Sequence, residues 1–124
     1  MKALIIDDEP LIRRSLARAL SSRGHEILES SDGISGLELW TKALPDLAFV
    51  DVLMPGLTGP QLIQALPKEV REKTKIIMMS AYTGSEGTSP KLSDGVEMFL
   101  SKPFEDIFSI VTAAEELMKN GKKK

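Results

Sequence analysis

Four short apolar runs punctuate the chain: Ala3-Leu4-Ile5-Ile6, Leu47-Ala48-Phe49-Val50, Ile76-Ile77-Met78-Met79 and Met98-Phe99-Leu100. None alternates apolar with polar residues, so each predicts a strand covered on both faces, as in a parallel sheet lying between helices. A weaker stretch from His25 to Glu29, around Ile27 and Leu28, predicts a fifth strand at an edge. Helical periodicity fills the intervals. After Pro10, which suits a first turn, Ile12, Leu16, Ala19 and Leu20 recur at i, i+4, i+7 and i+8, and Gly24 closes the pattern. Asp32 can cap a second helix with Gly33, Gly36, Leu37, Trp40 and Leu44 inward, stopped by Pro45. A third begins near Thr58, turns Leu62, Ile63 and Leu66 inward, and is interrupted at Pro67 before the charged stretch from Lys68 to Lys75. The last begins near Glu105 and sets Ile107, Ile110, Val111, Ala114, Leu117 and Met118 on one stripe, ending at Asn120-Gly121. A crossover is also needed between Tyr82 and Ser93, where Gly84, Gly87, Pro90 and several Ser and Thr predict a short, late or mobile helix. The alternation gives an α/β fold: a (βα)5 doubly wound, five-stranded parallel sheet of strand order 2-1-3-4-5.

Composition narrows this further. A chain of 124 residues, 42% apolar, accommodates one core, with residues 1–120 as the domain and 121–124 as a flexible tail. Its formal charge of −2 provides no overall positive field to draw it to nucleic acid or anionic lipid. Cysteine is absent, which removes disulfides, thiolate metal sites and cysteine nucleophiles. The apolar runs fall far short of the ~20 residues that cross a bilayer, and Asp7-Asp8-Glu9 cuts off the first one too early for a signal peptide. The expectation is a cytoplasmic protein with no membrane contact and no direct nucleic-acid binding.

The central strands all stop at polar residues on their carboxyl side: Ile6 before Asp7-Asp8, Val50 before Asp51, Met79 before Ser80, and Leu100 before Ser101-Lys102. A parallel sheet puts these ends on one edge, where the reversal of strand order opens a ligand crevice. Carboxylates that converge repel one another unless one takes a proton or a cation joins them. With oxygen ligands and a single distant histidine, a hard ion such as Mg²⁺ is favoured over zinc or copper. Mg²⁺ binds well where one or two carboxylates meet phosphate oxygens, so the edge suits a phosphoryl group, with Lys102 as a second positive charge.

These residues, Asp7-Asp8, Asp51 in Asp51-Val52-Leu53-Met54-Pro55-Gly56-Leu57-Thr58-Gly59, Ser80-Ala81 and Lys102-Pro103-Phe104, together resemble the receiver domain of two-component response regulators, over essentially the whole chain. The resemblance implies a flavodoxin-like fold and a module that catalyses only its own phosphorylation and dephosphorylation. Asp51 would accept a phosphoryl group from a phosphohistidine on a sensor histidine kinase or a histidine phosphotransfer protein. Asp8, Asp51 and the Leu53 carbonyl would hold Mg²⁺, with Asp7 acting through water. Lys102 would pair with the phosphoryl oxygens and Ser80 would donate a hydrogen bond to one of them. Phe99 would be the aromatic that turns inward as Ser80 moves, and Lys102-Pro103 a cis peptide. The output face would join the fourth helix, fifth strand and fifth helix, and act on a downstream target, an output domain or a phosphorylation-dependent dimer. Leu53 and Tyr82 flank the path of a hydrolytic water without a carboxylate or amide to orient it, which predicts slow self-dephosphorylation.

Other readings account for less. Asp7-Asp8 alone could merely cap the helix after Pro10. A haloacid-dehalogenase-type phosphatase wants a second acid where Leu53 stands, and a flavin carrier wants a hydroxyl-rich loop where Asp7-Asp8-Glu9 would repel phosphate. A receiver-like scaffold working without phosphorylation keeps the fold but leaves the acids and Lys102 unexplained. His25 reads as a surface residue, Trp40 and the six methionines as core filling, and Lys122 to Lys124 as a solvated tail.

Overall fold

The apolar runs become strands, and every strand pairing is parallel. The computed structural model describes residues 1–80, 96–101 and 106–120. Along the chain they form β1 (Lys2–Ile6), α1 (Pro10–Ser22), β2 (Glu26–Ser30), α2 (Gly33–Ala43), β3 (Leu47–Asp51), α3 (Gly59–Ala65), α4 (Lys68–Glu72), β4 (Lys75–Ser80), β5 (Val96–Ser101) and α5 (Ile107–Asn120). The sheet order is β2-β1-β3-β4-β5, the order that the sequence predicts. The crossover expected between Tyr82 and Ser93, and the tail from 121 to 124, lie outside the described residues.

Successive strand residues point to opposite faces, so an unbroken apolar run feeds two cores. Ala3, Ile5, Leu47, Phe49, Ile77 and Met79 pack beneath α1 and α5, against Leu16, Leu20, Val111 and Ala114. Leu4, Ile6, Ala48, Val50, Ile76 and Met78 pack on the other side against Trp40, Leu62, Ile63 and Leu66. Trp40 is fully buried, and its indole N–H donates to the Thr74 hydroxyl at 3.1 Å, which in turn donates to the Pro45 carbonyl at 2.7 Å. That chain satisfies the one polar atom Trp40 carries into the core. The weak edge strand β2 shows Glu26 and Glu29 to solvent, charges that discourage a further strand from pairing there.

The helix ends follow their expected chemistry. Asp32 caps α2 by accepting the Ser35 N–H at 2.8 Å, a bond that holds its carboxyl below the usual carboxylate range. Thr58 and Gln61 form a reciprocal capping box at the start of α3. Two expectations need correction and one is borne out. Leu44 is not inward: it ends α2 in the left-handed region (φ 50°) and is 42% exposed, because the chain must turn there to enter Pro45 and β3. Leu66 is buried, as expected, at the end of α3, the interruption falls at Pro67, and the charged stretch beyond it opens with the separate helix α4. His25 is not a simple surface residue, since its side chain is half-buried and its Nε2 lies 2.7 Å from Glu115 Oε2. Arg23 bonds the other oxygen of Glu115 at 2.6 Å, so one carboxylate fastens the α1–β2 turn to α5.

Two outcomes follow. A Cβ on Gly33 would lie 2.6 Å from both the Cβ and the carbonyl oxygen of Leu57, and a backbone atom cannot step aside. Gly33→Ala is expected to lower unfolding free energy by about 1–3 kcal/mol in urea titration. Glu115, held below its ordinary value of 4.5 mainly by the hydrogen bond to His25, contributes stability that is present above that value and lost as pH falls through the lower folded one. Glu115→Gln should therefore show a flatter loss of thermal stability than the parent on acidification below about pH 5, where parallel curves would exclude this role.

Candidate functional site

Strand register aligns the polar ends. Ile6 pairs with Val50, Asp51 with Met79, and Ser80 with Ser101. Asp7, directly after Ile6, thus falls level with Asp51, and Ser80 ends the neighbouring strand one residue beyond the partner of Asp51. Along β3, Leu47 and Phe49 face α1 and α5, and Asp51 continues that alternation. Asp7 is 0% exposed, Asp51 6% and Ser80 4%, while Asp8 is open to solvent. Asp7, Asp8 and Asp51 each offer one carboxylate oxygen, and these atoms lie within 4.8 Å of one another.

The surrounding loops are built to keep them there. Asp7 Oδ1 accepts the Glu9 N–H at 2.9 Å, and the Arg13 guanidinium donates to the Asp7 carbonyl at 2.8 Å while its Nε pairs with Glu29 at 3.0 Å. The N-cap position of α1 falls on Glu9, so neither aspartate occupies it. After Asp51, the Val52 N–H donates to the Met79 carbonyl and the Gly59 N–H to the Val52 carbonyl, both at 2.8 Å. A Cβ at Gly59 would come within 2.6 Å of the Asp51 carbonyl oxygen, so only glycine lets α3 start this close to the acid. Leu53, in the same loop, is 68% exposed.

Electrostatics decides what such a pocket accepts. Two ionised carboxylates at the Asp7 to Asp51 separation repel by on the order of 3 kcal/mol at an effective dielectric near 20. A divalent cation among three oxygen donors removes that cost, and the donor set fits a hard ion. Of the residues the sequence singles out, the structure brings together Asp7, Asp8 and Asp51, and places Ser80 on the adjacent strand. Phe99 is partly buried in β5 against the core on the α2 and α3 side. Lys102 and Tyr82 lie outside the described residues. Arg13 is a participant that sequence reasoning missed, because a guanidinium reaching a carbonyl six positions back leaves no periodic signal.

Comparison with known proteins fits this geometry. The sequence profile of the response regulator receiver domain matches residues 3–115. A probable transcriptional regulator, ycf27 of Galdieria sulphuraria, is 39% identical over 103 residues, which are 83% of this chain and 40% of that protein. Sporulation initiation phosphotransferase F of Bacillus subtilis is 29% identical over 104 residues, 84% of this chain and 83% of that protein. Among solved structures, the response regulator TrrA of Thermotoga maritima in complex with Mg²⁺-BeF superposes with a TM-score of 0.72 at 27% identity, over 94% of this chain and 97% of that one. The chain spans less than half the length of the transcriptional regulators it matches. No helix among the described residues is long and apolar enough to cross a membrane. With the profile covering nearly the whole chain and the acids gathered at the sheet edge, the protein belongs to the response regulator receiver domain family, the phosphorylation-based signalling modules of two-component systems.

Proposed function

We propose that Asp51 accepts a phosphoryl group from a phosphohistidine of a sensor histidine kinase or histidine phosphotransfer protein. The observation that carries this reading is the convergence of three carboxylates within 4.8 Å around a buried aspartate at the end of the central strand. A carboxylate oxygen of Asp51 attacks phosphorus, the bond to the imidazole nitrogen breaks, and an acyl phosphate forms as the imidazole leaves. Asp8, Asp51 and the Leu53 carbonyl would hold Mg²⁺, with Asp7 acting through water; when bound, the ion neutralises charge on the transferring group. Lys102 would neutralise charge on the same oxygens, and Ser80 would donate a hydrogen bond to one of them. The Mg²⁺-BeF complex of a relative with the same fold, and the phosphotransferase naming of another, support this chemistry.

The module, residues 1–120, modifies itself and turns over no separate substrate. Its output runs from Ser80 to Phe99, which share a sheet face: Phe99 pairs with Met78, and Ser80 lies two residues on from Met78. A shift of Ser80 toward the phosphoryl group frees space beside Phe99 and repacks the surface around β5 and α5, which acts on a downstream target, an output domain or a second copy in the cytoplasm. A scaffold without phosphorylation would have no use for acids held at mutual repulsion.

Incubation with Mg²⁺ and acetyl phosphate should add one phosphoryl group by intact mass to the parent chain and none to Asp51→Asn; equal modification of both would place the acceptor elsewhere. The exposed Leu53 offers nothing to orient an attacking water, so the phosphorylated form should persist, and Leu53→Asn should shorten its life about tenfold by supplying a polar group there. A parent lifetime of seconds at room temperature would contradict this.

A further inference from the structure

We infer that Arg13 is a positioning residue of the acid pocket, held between the Asp7 carbonyl and Glu29, and that the pocket's affinity for Mg²⁺ depends on it. This rests on the reading of the three acids as a divalent-cation site. Asp8 is exposed, so packing does little to direct its carboxylate. Its direction comes from the backbone before it, the Asp7–Asp8 peptide. Three hydrogen bonds hold Asp7: its N–H donates to the Ser30 carbonyl at 3.1 Å, its Oδ1 accepts the Glu9 N–H at 2.9 Å, and its carbonyl accepts from the Arg13 guanidinium at 2.8 Å. The third acts on the Asp7–Asp8 peptide itself, and turning that plane swings Asp8 relative to Asp51.

The shape of the side chain suits this task. A guanidinium is a planar fork, so Nη1 reaches the carbonyl while Nε pairs with Glu29 at 3.0 Å, and the side chain is only 14% exposed. One anchor lies directly after β1 and the other in β2, and two anchors fix the plane where one would let it pivot. The stem is fixed as well, since the Arg13 N–H donates to the Glu9 carbonyl at 3.0 Å. Charge gives no reason for Arg13 to be here. A cation this near three carboxylates opposes a divalent ion, and Glu29 offsets part of that opposition. Geometry and charge therefore predict effects of opposite sign when Arg13 is removed. Groups that orient a metal's ligands without touching the metal typically change its affinity by about ten- to a hundredfold.

The test titrates Mg²⁺ by calorimetry into the full chain and into its Arg13→Ala and Arg13→Lys variants, and follows labelling by acetyl phosphate across the same Mg²⁺ range. Both variants should bind Mg²⁺ roughly tenfold more weakly, Arg13→Ala because the carbonyl is released and Arg13→Lys because one ammonium cannot span both anchors. At saturating Mg²⁺ both should recover at least about half of the parent's labelling rate, because a positioning residue touches neither the ion nor the phosphoryl group. Arg13→Lys keeps the charge and most of the stem, so a fold lost in the alanine variant leaves the comparison in place. Tighter or unchanged Mg²⁺ binding by Arg13→Ala, parent affinity in Arg13→Lys, or labelling that stays depressed at saturation would each overturn the inference. A parent that neither binds Mg²⁺ nor takes the label overturns the phosphoacceptor reading and this inference together, whereas a labelled parent with equally competent variants overturns this inference alone.

Discussion

The constraint on which the site depends is repulsion between carboxylates that the backbone does not allow to separate. Asp7 and Asp51 close adjacent parallel strands at the same level, both buried, with Asp8 beside them at the surface. A strand end is a poor place to relieve this strain, because the residue before each acid is locked in the sheet and the residue after it enters a loop that is itself tied down. Arg13 fixes the first loop through the Asp7 carbonyl, and the Gly59 contact fixes the second through the Asp51 carbonyl. A divalent cation placed among these oxygens would remove the repulsion without movement of the backbone, so a rigid scaffold can gain affinity for such an ion.

The two halves of the core divide this labour. On the α2 and α3 side, close approach does the positioning: Gly36 lets α2 lie against Ile6, Gly33 lets it meet Leu57, and Gly59 brings α3 beneath Asp51. On the α1 and α5 side, ion pairs do more of it. Glu115 is held by both His25 and Arg23, which join segments ninety residues apart in sequence, and the Arg23 guanidinium also lies 5.8 Å from the centre of the Phe108 ring. Packing among glycines resists displacement in every direction, whereas charge pairs at partial exposure tolerate adjustment. The closely packed side therefore carries the loop around Asp51, and ion pairs fasten the side opposite.

How much of this was legible in the sequence depends on whether the cause was local. Unbroken apolar runs announced parallel strands because burial on both faces leaves no polar position, and Asp32 and Thr58 announced helix starts because capping is a property of neighbouring residues. The acid cluster was legible because strand ends share an edge by topology alone. Leu44 misled because it continues the helical stripe in sequence but falls at the left-handed residue that ends α2, a reversal dictated by Pro45 and the entry to β3. His25 misled because its partner, Glu115, is unreachable from any local pattern. The same holds for Arg13, whose two contacts depend on how β1 and β2 lie side by side.

The head of α1 shows how few contacts are needed to hold the acids. The helix begins at Pro10, two residues after Asp8, and Arg13 reaches back from its first turn to the Asp7 carbonyl while its Nε pairs with Glu29 in β2. Asp7 Oδ1 accepts the Glu9 N–H at the helix entry, so the turn that carries the acids is closed from both the helix and the neighbouring strand. One side chain thus joins β1, β2 and α1 at the point where the carboxylates converge, and the loop has no need of a core of its own to keep its shape.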